Sequence, residues 1–258
     1  IAGTINIITK EPVRNSASVS HTTTAIGGWS GFHNTTDINA SIVSEDNKLG
    51  LAVFAQNTAK DAWDANGDGF TELSKISGQT AGLRGYVKTG LYSKLSFEYH
   101  HLQEFRRGGD NLSLPPHEAM IAEQTDHGIN TGGVKFDWFS PDQKHRINSF
   151  LSLQHIISES YYGAQKNPNA YGMTTDLTWV GGAQYVYKAD KCIFMPSDLT
   201  LGLEYNEDYL KDNAWGYNRV TDQTVRIVSL YAQNEWKNKK WGILLGGRLD
   251  KHNLIKGL

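Results

Sequence analysis

The sequence predicts an all-β fold, a transmembrane antiparallel β-barrel with about eleven strands in this chain. Three observations predict it. Segments of about ten or more residues alternate apolar and polar side chains, with no helical stretch between them. The connections between segments are short and long in turn, and Trp and Tyr gather at segment ends.

Bulk properties agree with this class and exclude others. Across 258 residues, 25 basic and 27 acidic side chains leave a formal charge of −2, which offers no polyanion-binding surface and implies no nucleic-acid partner. Mean hydropathy is below zero, and no apolar run approaches the ~20 residues of a membrane helix. A barrel tolerates this, because only every second side chain meets lipid. The single Cys192 permits no internal disulfide and no thiolate metal cluster. The chain starts at Ile1 without a signal peptide and reaches Leu258 in mid-pattern, so it reads as a fragment.

Along the chain, Gly3-Thr-Ile-Asn-Ile-Ile-Thr9 reads as a short apolar strand, set apart by Glu11-Pro-Val-Arg-Asn15, where Pro12 cannot donate to a ladder. Leu49, Leu51, Val53 and Ala55 then share one face. Leu95, Phe97 and Tyr99 interleave with Ser96, Glu98 and His100. Ile147, Leu151 and Leu153 interleave with Asn148, Ser152 and Gln154, and Leu199, Leu201, Leu203 and Tyr205 with Thr200, Gly202, Glu204 and Asn206. Val228, Leu230 and Ala232 oppose Ser229, Tyr231, Gln233 and Glu235, and Trp241, Ile243, Leu245 and Leu249 follow.

Short polar connections are expected at Ser44–Lys48, Thr89–Ser93, Ser140–Lys144 and Lys237–Lys240, with a somewhat longer one at Ala189–Pro196. Long Gly-, Asn- and Asp-rich loops are expected at Lys60–Leu73, Phe105–His117, Tyr162–Met173 and Lys211–Thr221. Tyr92, Trp138, Phe139, Tyr187, Trp236 and Trp241 fall beside the short turns, as a membrane girdle would, although aromatics favour strands in general. About eleven strands is half of the 22 of a plugged outer-membrane transporter.

The sharpest local motif is Asp64-Ala-Asn66-Gly-Asp68-Gly69-Phe70-Thr-Glu72. Oxygen donors at alternate positions, a turn glycine and the Phe70 carbonyl match the first half of a calcium loop. The twelfth position is Lys75, so it is not an EF-hand; Glu72, or Asp61 just before the motif, would complete a calcium shell, and Asp110 would bridge from the next loop. The same residues also suit an ion-free Asx-Gly surface turn.

Gly3-Thr-Ile-Asn-Ile-Ile-Thr9, followed by a linker and long alternating strands, resembles the plug-to-barrel junction of TonB-dependent outer-membrane transporters, with Ala2 where a second glycine is often found. The resemblance runs over essentially the whole chain. It implies that residues 1–11 end a plug domain, 12–15 form a linker and 16–258 form the first half of a barrel in the cell outer membrane. Glu104-Phe-Arg-Arg-Gly-Gly109, Leu114-Pro-Pro-His-Glu-Ala119, Ala122-Glu-Gln-Thr125 and Gly246-Gly-Arg-Leu-Asp250 are most similar to the cobalamin (vitamin B12) subgroup, which orders its outer loops with calcium; ferric-siderophore receptors share the fold. The implied function is energised import, not enzymatic catalysis. The implied partners are cobalamin or, next, a ferric siderophore, together with outer-membrane lipid and the TonB complex, whose contacting segment lies upstream of Ile1. A surface lipoprotein capping the barrel is a further candidate.

Within that reading, Arg106 and Arg107 suit anionic ligand groups or, as the simpler alternative, ion pairs with Glu104, Glu118 or Asp110 at a solvated rim. Tyr161, Tyr162, Trp215 and Tyr217 sit in or beside outer loops, where aromatics stack on a planar ligand or pack on one another. His100 and His101 point to opposite faces and share no ion. Two other functions fit parts of the pattern: a passive barrel or adhesin, and a soluble calcium-binding β-sandwich.

Overall fold

The structure, a computed structural model, describes residues 11–255. The short strand expected over Gly3–Thr9 lies outside them. Eleven strands form one antiparallel sheet in chain order: β1 (Ser16–Ile26), β2 (Gly31–Val43), β3 (Leu49–Lys60), β4 (Lys75–Gly90), β5 (Ser93–Gly109), β6 (Ile121–Phe139), β7 (His145–Ala164), β8 (Tyr171–Cys192), β9 (Met195–Ala214), β10 (Arg219–Lys237) and β11 (Gly242–His252). Among the described residues β1 and β11 each pair on one side only.

Register converts the sequence alternation into two continuous faces. Leu249 pairs with Leu230, Leu230 with Leu203, and Leu203 with Ala183. The same row runs on through Phe136, Leu95, Val87 and Leu49. One position along, Asp250, Ser229 and Glu204 pair in a polar row that continues to Lys135 and Ser96. The apolar row meets no second layer: Leu203 is 55% exposed and Leu230 59%. Among the described residues the buried apolar side chains are Tyr86, Ala119, Ala122, Tyr161 and Trp236, with Pro12 and Pro116, which is no sandwich core. The soluble β-sandwich alternative requires two oily faces packed together, and this single sheet removes it.

The apolar face has limits. Trp138, Tyr185, Tyr187 and Trp236 border it near the short turns, and Tyr99, Trp179 and Tyr205 border it on the loop side, with Trp179 and Tyr205 centroids 4.6 Å apart. The next row, His101, Asn130 and His155, is polar; Asn130 Oδ1 accepts from Tyr99 Oη at 2.7 Å and contacts His101 Nδ1 at 2.9 Å. Two aromatic girdles therefore enclose the band, where the sequence signalled only the lower one.

Strand length explains where the site sits. A membrane strand needs ~9–11 residues, yet β8 has 22 and would extend about 70 Å if straight. The excess rises on the loop side and shortens the loops. Tyr162–Met173 reduces to a connection between Ala164 and Tyr171, and most of Lys211–Thr221 is strand. Only Trp215–Tyr217, a 3-10 turn, and Asn218 separate β9 from β10. At the other end the Ala189–Pro196 connection tightens to Ile193-Phe194, with Ile193 at φ 62°. Extra cross-strand pairing outweighs the turn propensity of Asn, Gly and Asp in these segments.

Aromatic rings lie directly over cross-strand glycines on the polar face. Phe54 covers Gly82, Phe150 covers Gly182 and Tyr231 covers Gly202, each pair in direct register. The ring restores packing that the glycine lacks, and the glycine provides the space for the ring.

Candidate ligand-binding site at the loop end

Parity along β5 sends Arg106 and Arg107 to opposite faces. Arg106, with Glu104 two positions earlier, lies on the polar face, and its Nε donates to Glu104 Oε1 at 2.6 Å. On the same face Tyr162 stands at the end of β7, 53% exposed. Arg106, Tyr162, Ser74, Glu104, Glu123 and His127 line a polar basin of about 410 Å³. Two of the expected ligand residues thus meet, joined by two carboxylates and an imidazole. Glu123 and His127 were not expected there; counting alternate positions back from the polar Lys135 places both on this face.

Arg107 and Tyr161 lie elsewhere. They are buried on the opposite face, 2% and 0% exposed, beneath the β5–β6 loop. Arg107 donates to the carbonyls of Gly108 and Asp110, the latter at 3.3 Å. Tyr161 donates to the Asn167 carbonyl at 2.9 Å and meets Tyr171 edge-on at 4.9 Å, while Tyr171 Oη and His117 Nδ1 are 2.7 Å apart. With Ala119 and Ala122 they form a small core that fixes the loop to the wall, a structural role rather than contact with ligand at the mouth. Trp215 and Tyr217 are exposed on the β9–β10 turn and belong to neither group.

Loop 61–74 is braced at several points. Trp63 and Leu73 exchange backbone bonds at 2.9 and 3.1 Å, and Thr71 N–H donates to the Gly109 carbonyl at 3.1 Å. At the tip, Asp64 accepts from Gly67 N–H and Gly69 N–H, both at 2.7 Å. Partial desolvation pushes the Asp64 carboxyl up, but the Gly69 and Gly67 amides, with Asn66 and Asp68, outweigh it and hold the group below its usual range. Asn66 Oδ1 accepts from Asp68 N–H and Asp68 Oδ1 from Phe70 N–H.

The wider calcium shell does not assemble in this arrangement. Asp61 accepts from Phe32 N–H at 2.8 Å, and Glu72 from Ala65 N–H at 2.5 Å. Asp110 caps its own loop, accepting from Ile121 N–H at 2.9 Å; that bond first, with weaker ones from Met120 and Asn111, lowers its pKa against partial desolvation. Among the described residues no three His, Cys, Asp or Glu side chains gather as ion ligands.

At the opposite end of the polar face, the segment ahead of β1 is anchored. Glu11 Oε1 and Lys94 Nζ are 2.6 Å apart, Pro12 is buried, and a Cβ on Gly50 would meet the Tyr86 ring and lie 3.1 Å from Pro12 Cγ.

The fold defines a class: a one-sheet wall with an oily band and a polar face, as in outer-membrane receptor barrels. No protein-family model and no curated protein matches the chain. Solved structures do. The siderophore receptor PirA from Pseudomonas aeruginosa matches with TM-score 0.70 at 12% identity, over 96% of this chain and 39% of that one. The ferric enterobactin receptor PfeA from the same organism, in complex with enterobactin, matches with TM-score 0.72 at 15% identity, over 96% and 42%. The outer membrane transporter YddB from Escherichia coli matches with TM-score 0.66 at 9% identity, over 86% and 34%. The chain spans about two fifths of the length of the first two. At these identities the likeness is one of fold.

Proposed function

We propose that this chain is the first half of the barrel of a TonB-dependent outer-membrane receptor that captures a ferric siderophore at its loop end and passes it inward past a plug. The observation that carries the reading is the anchoring of Glu11 and Pro12 on the polar face. A passive barrel or adhesin has no need of a segment entering its interior ahead of the first strand, whereas a plug-to-barrel linker must do so. The basin around Arg106 and Tyr162 then lies on the same face, above the membrane band, where incoming ligand arrives.

Siderophore moves ahead of cobalamin, reversing the order that the sequence resemblance suggested. Two of the matched structures are named for siderophores, and the segments that resembled the cobalamin subgroup form no single site: those between Glu104 and Thr125 divide between the basin and the buried loop core, and Gly246–Asp250 lies on β11. Calcium remains part of the proposal at Asp64, Asn66, Asp68 and the Phe70 carbonyl, without Asp61 or Glu72. An ion there would stiffen the loop tip and reduce the entropy lost on ligand docking.

The test is equilibrium binding by the complete receptor, ferric siderophores against cyanocobalamin, with and without calcium. Submicromolar siderophore binding with no corrinoid binding is expected. Corrinoid binding alone overturns the cargo, and binding of neither by a plugged receptor overturns the importer reading.

A further inference from the structure

The charge of the mouth limits what the basin can hold. Arg106 is the basin's one permanent cation, and Glu104 already occupies that guanidinium at 2.6 Å. Glu123, on the same wall, pairs with no cation among the described residues. From the His100 row toward the loops, the polar face also carries Asp37, Asp176 and Asp208 without a cationic partner there. Of the other cations on that stretch, Arg219 is taken by Asp212 at 2.9 Å, which leaves Lys60. The loop-end connections add Asp61, Asp64, Asp68, Glu72, Asp110 and Glu118 against Lys166. Calcium at Asp64 and Asp68 would still leave them acidic. The whole chain is nearly neutral at −2, so this negative field belongs to the mouth.

Beneath the basin the chemistry changes. One alternate position below Glu104 and His127, Leu102, Ile129 and Ile156 stand side by side in register on the polar face, each half-buried. They form an aliphatic shelf continuous with the basin.

We propose that the cargo is an iron(III) chelate of zero or positive net charge built on aliphatic linkers, the tris-hydroxamate class, and that tris-catecholates are excluded. Three singly charged hydroxamates neutralise iron(III), and a pendant amine makes the complex cationic. Three doubly charged catecholates leave a trianion. The carboxylates of the mouth draw in a cationic complex, admit a neutral one and repel the trianion. The shelf supplies apolar contact to the linkers. The proposal rests on the siderophore-receptor reading and narrows its cargo to one charge class.

The experiment is equilibrium binding by the complete receptor, read by tryptophan quenching, with three probes: ferrioxamine B, a cationic tris-hydroxamate; its neutral N-acetyl derivative; and ferric enterobactin, a tris-catecholate. At low salt ferrioxamine B should bind tightest and ferric enterobactin weakest, with a gap of about tenfold or more that salt narrows by screening. Glu123→Gln combined with Asp208→Asn should weaken ferrioxamine B by about threefold and leave the Kd of the neutral derivative unchanged, a split that misfolding does not produce. Ile129→Ser should weaken both hydroxamates alike. Ferric enterobactin binding as tightly as ferrioxamine B at low salt overturns the proposal, as does a double variant that binds ferrioxamine B as the wild type does. A folded receptor that binds none of the three probes instead overturns the siderophore reading on which the proposal stands.

Discussion

Replacing Leu203 with arginine places a guanidinium in the middle of the oily band. Leu203 lies between Leu230 and Ala183 in register, with Leu201 and Tyr205 on either side along β9, and none of these supplies a counter-charge. An arginine near the midplane on the lipid face of a barrel costs about 2–4 kcal/mol, roughly a 30- to several-hundred-fold loss in the folding equilibrium. The same change at Tyr205 should cost only about 0–1 kcal/mol. Tyr205 borders Glu207, which already pairs with Arg226 at 2.7 Å on this face, so the band ends there. Gln154→Arg on the polar face, in register with Thr131 and Thr178, should change stability by less than about 0.5 kcal/mol, as surface substitutions generally do. The assay is urea-titrated folding of the complete receptor into phospholipid vesicles, read by heat-modifiable mobility. The order Leu203, then Tyr205, then Gln154 is expected in the loss of stability. Equal losses at all three, or a larger loss at Gln154, would refute the assignment of faces.

Gly82→Ala should destabilise by about 1–3 kcal/mol by overpacking, because the new Cβ overlaps the Phe54 ring and lies 2.7 Å from the Tyr99 carbonyl oxygen; the same urea titration reads it. Asp64→Ala should open loop 61–74 to limited proteolysis by freeing the Gly67 and Gly69 amides. In the wild type, the folded pKa of Asp64 is lowered, so the ionised turn is complete above the ordinary value of 3.8 and is lost as pH falls through the lower folded value. Proteolysis with an acid-active protease should therefore rise only below about pH 4; onset near neutrality would contradict this. Lys94→Met should free Glu11 and broaden the distance distribution from a spin label at Val13 to the sheet, and an unchanged distribution would dismiss the tether. Arg106→Ala and Tyr162→Ala should each weaken siderophore binding about tenfold, or ~1.4 kcal/mol, whereas Tyr161→Phe should loosen the loop core with Kd unchanged.

The strand count and the assignment of faces were legible because period-2 alternation is a local property that survives any register. Strand ends were not. Between Lys211 and Thr221 the composition favours a turn, yet Lys211 pairs with Asp222 and Asp212 with Thr221, while the Thr174 hydroxyl donates to Asp212 at 2.7 Å. The β8 partners, Thr174 opposite Asp212 and Thr175 opposite Lys211, come from a distant part of the chain, so composition within the segment cannot report them. The upper girdle was missed for a related reason. Tyr99, Trp179 and Tyr205 lie in mid-strand by sequence, and only the length of the wall above them shows that the membrane stops there.

The site shows the same division more sharply. Read as a pair, Arg106 and Arg107 suggest two guanidiniums on one ligand. Parity carried up from Lys94 and Ser96 on the polar face already separates them, and also separates Tyr161 from Tyr162. Sequence alone could therefore have put Arg106 and Tyr162 on one face and Arg107 and Tyr161 on the other. It could not have shown that the second pair is covered. That depends on the β5–β6 loop turning over the oily side, where Asp110 accepts from Ile121 N–H and Gly109 adopts φ 104°. The left-handed glycine reverses the chain and the carboxylate locks the reversal. A non-glycine residue at 109 would be strained and would crowd the Ile121 carbonyl, so Gly109→Ala should expose Tyr161 while leaving the Arg106 basin in place. Its signature would be faster modification of the Tyr161 phenol with siderophore affinity unchanged; parallel loss of both would mean that the loop core and the basin form one cooperative unit.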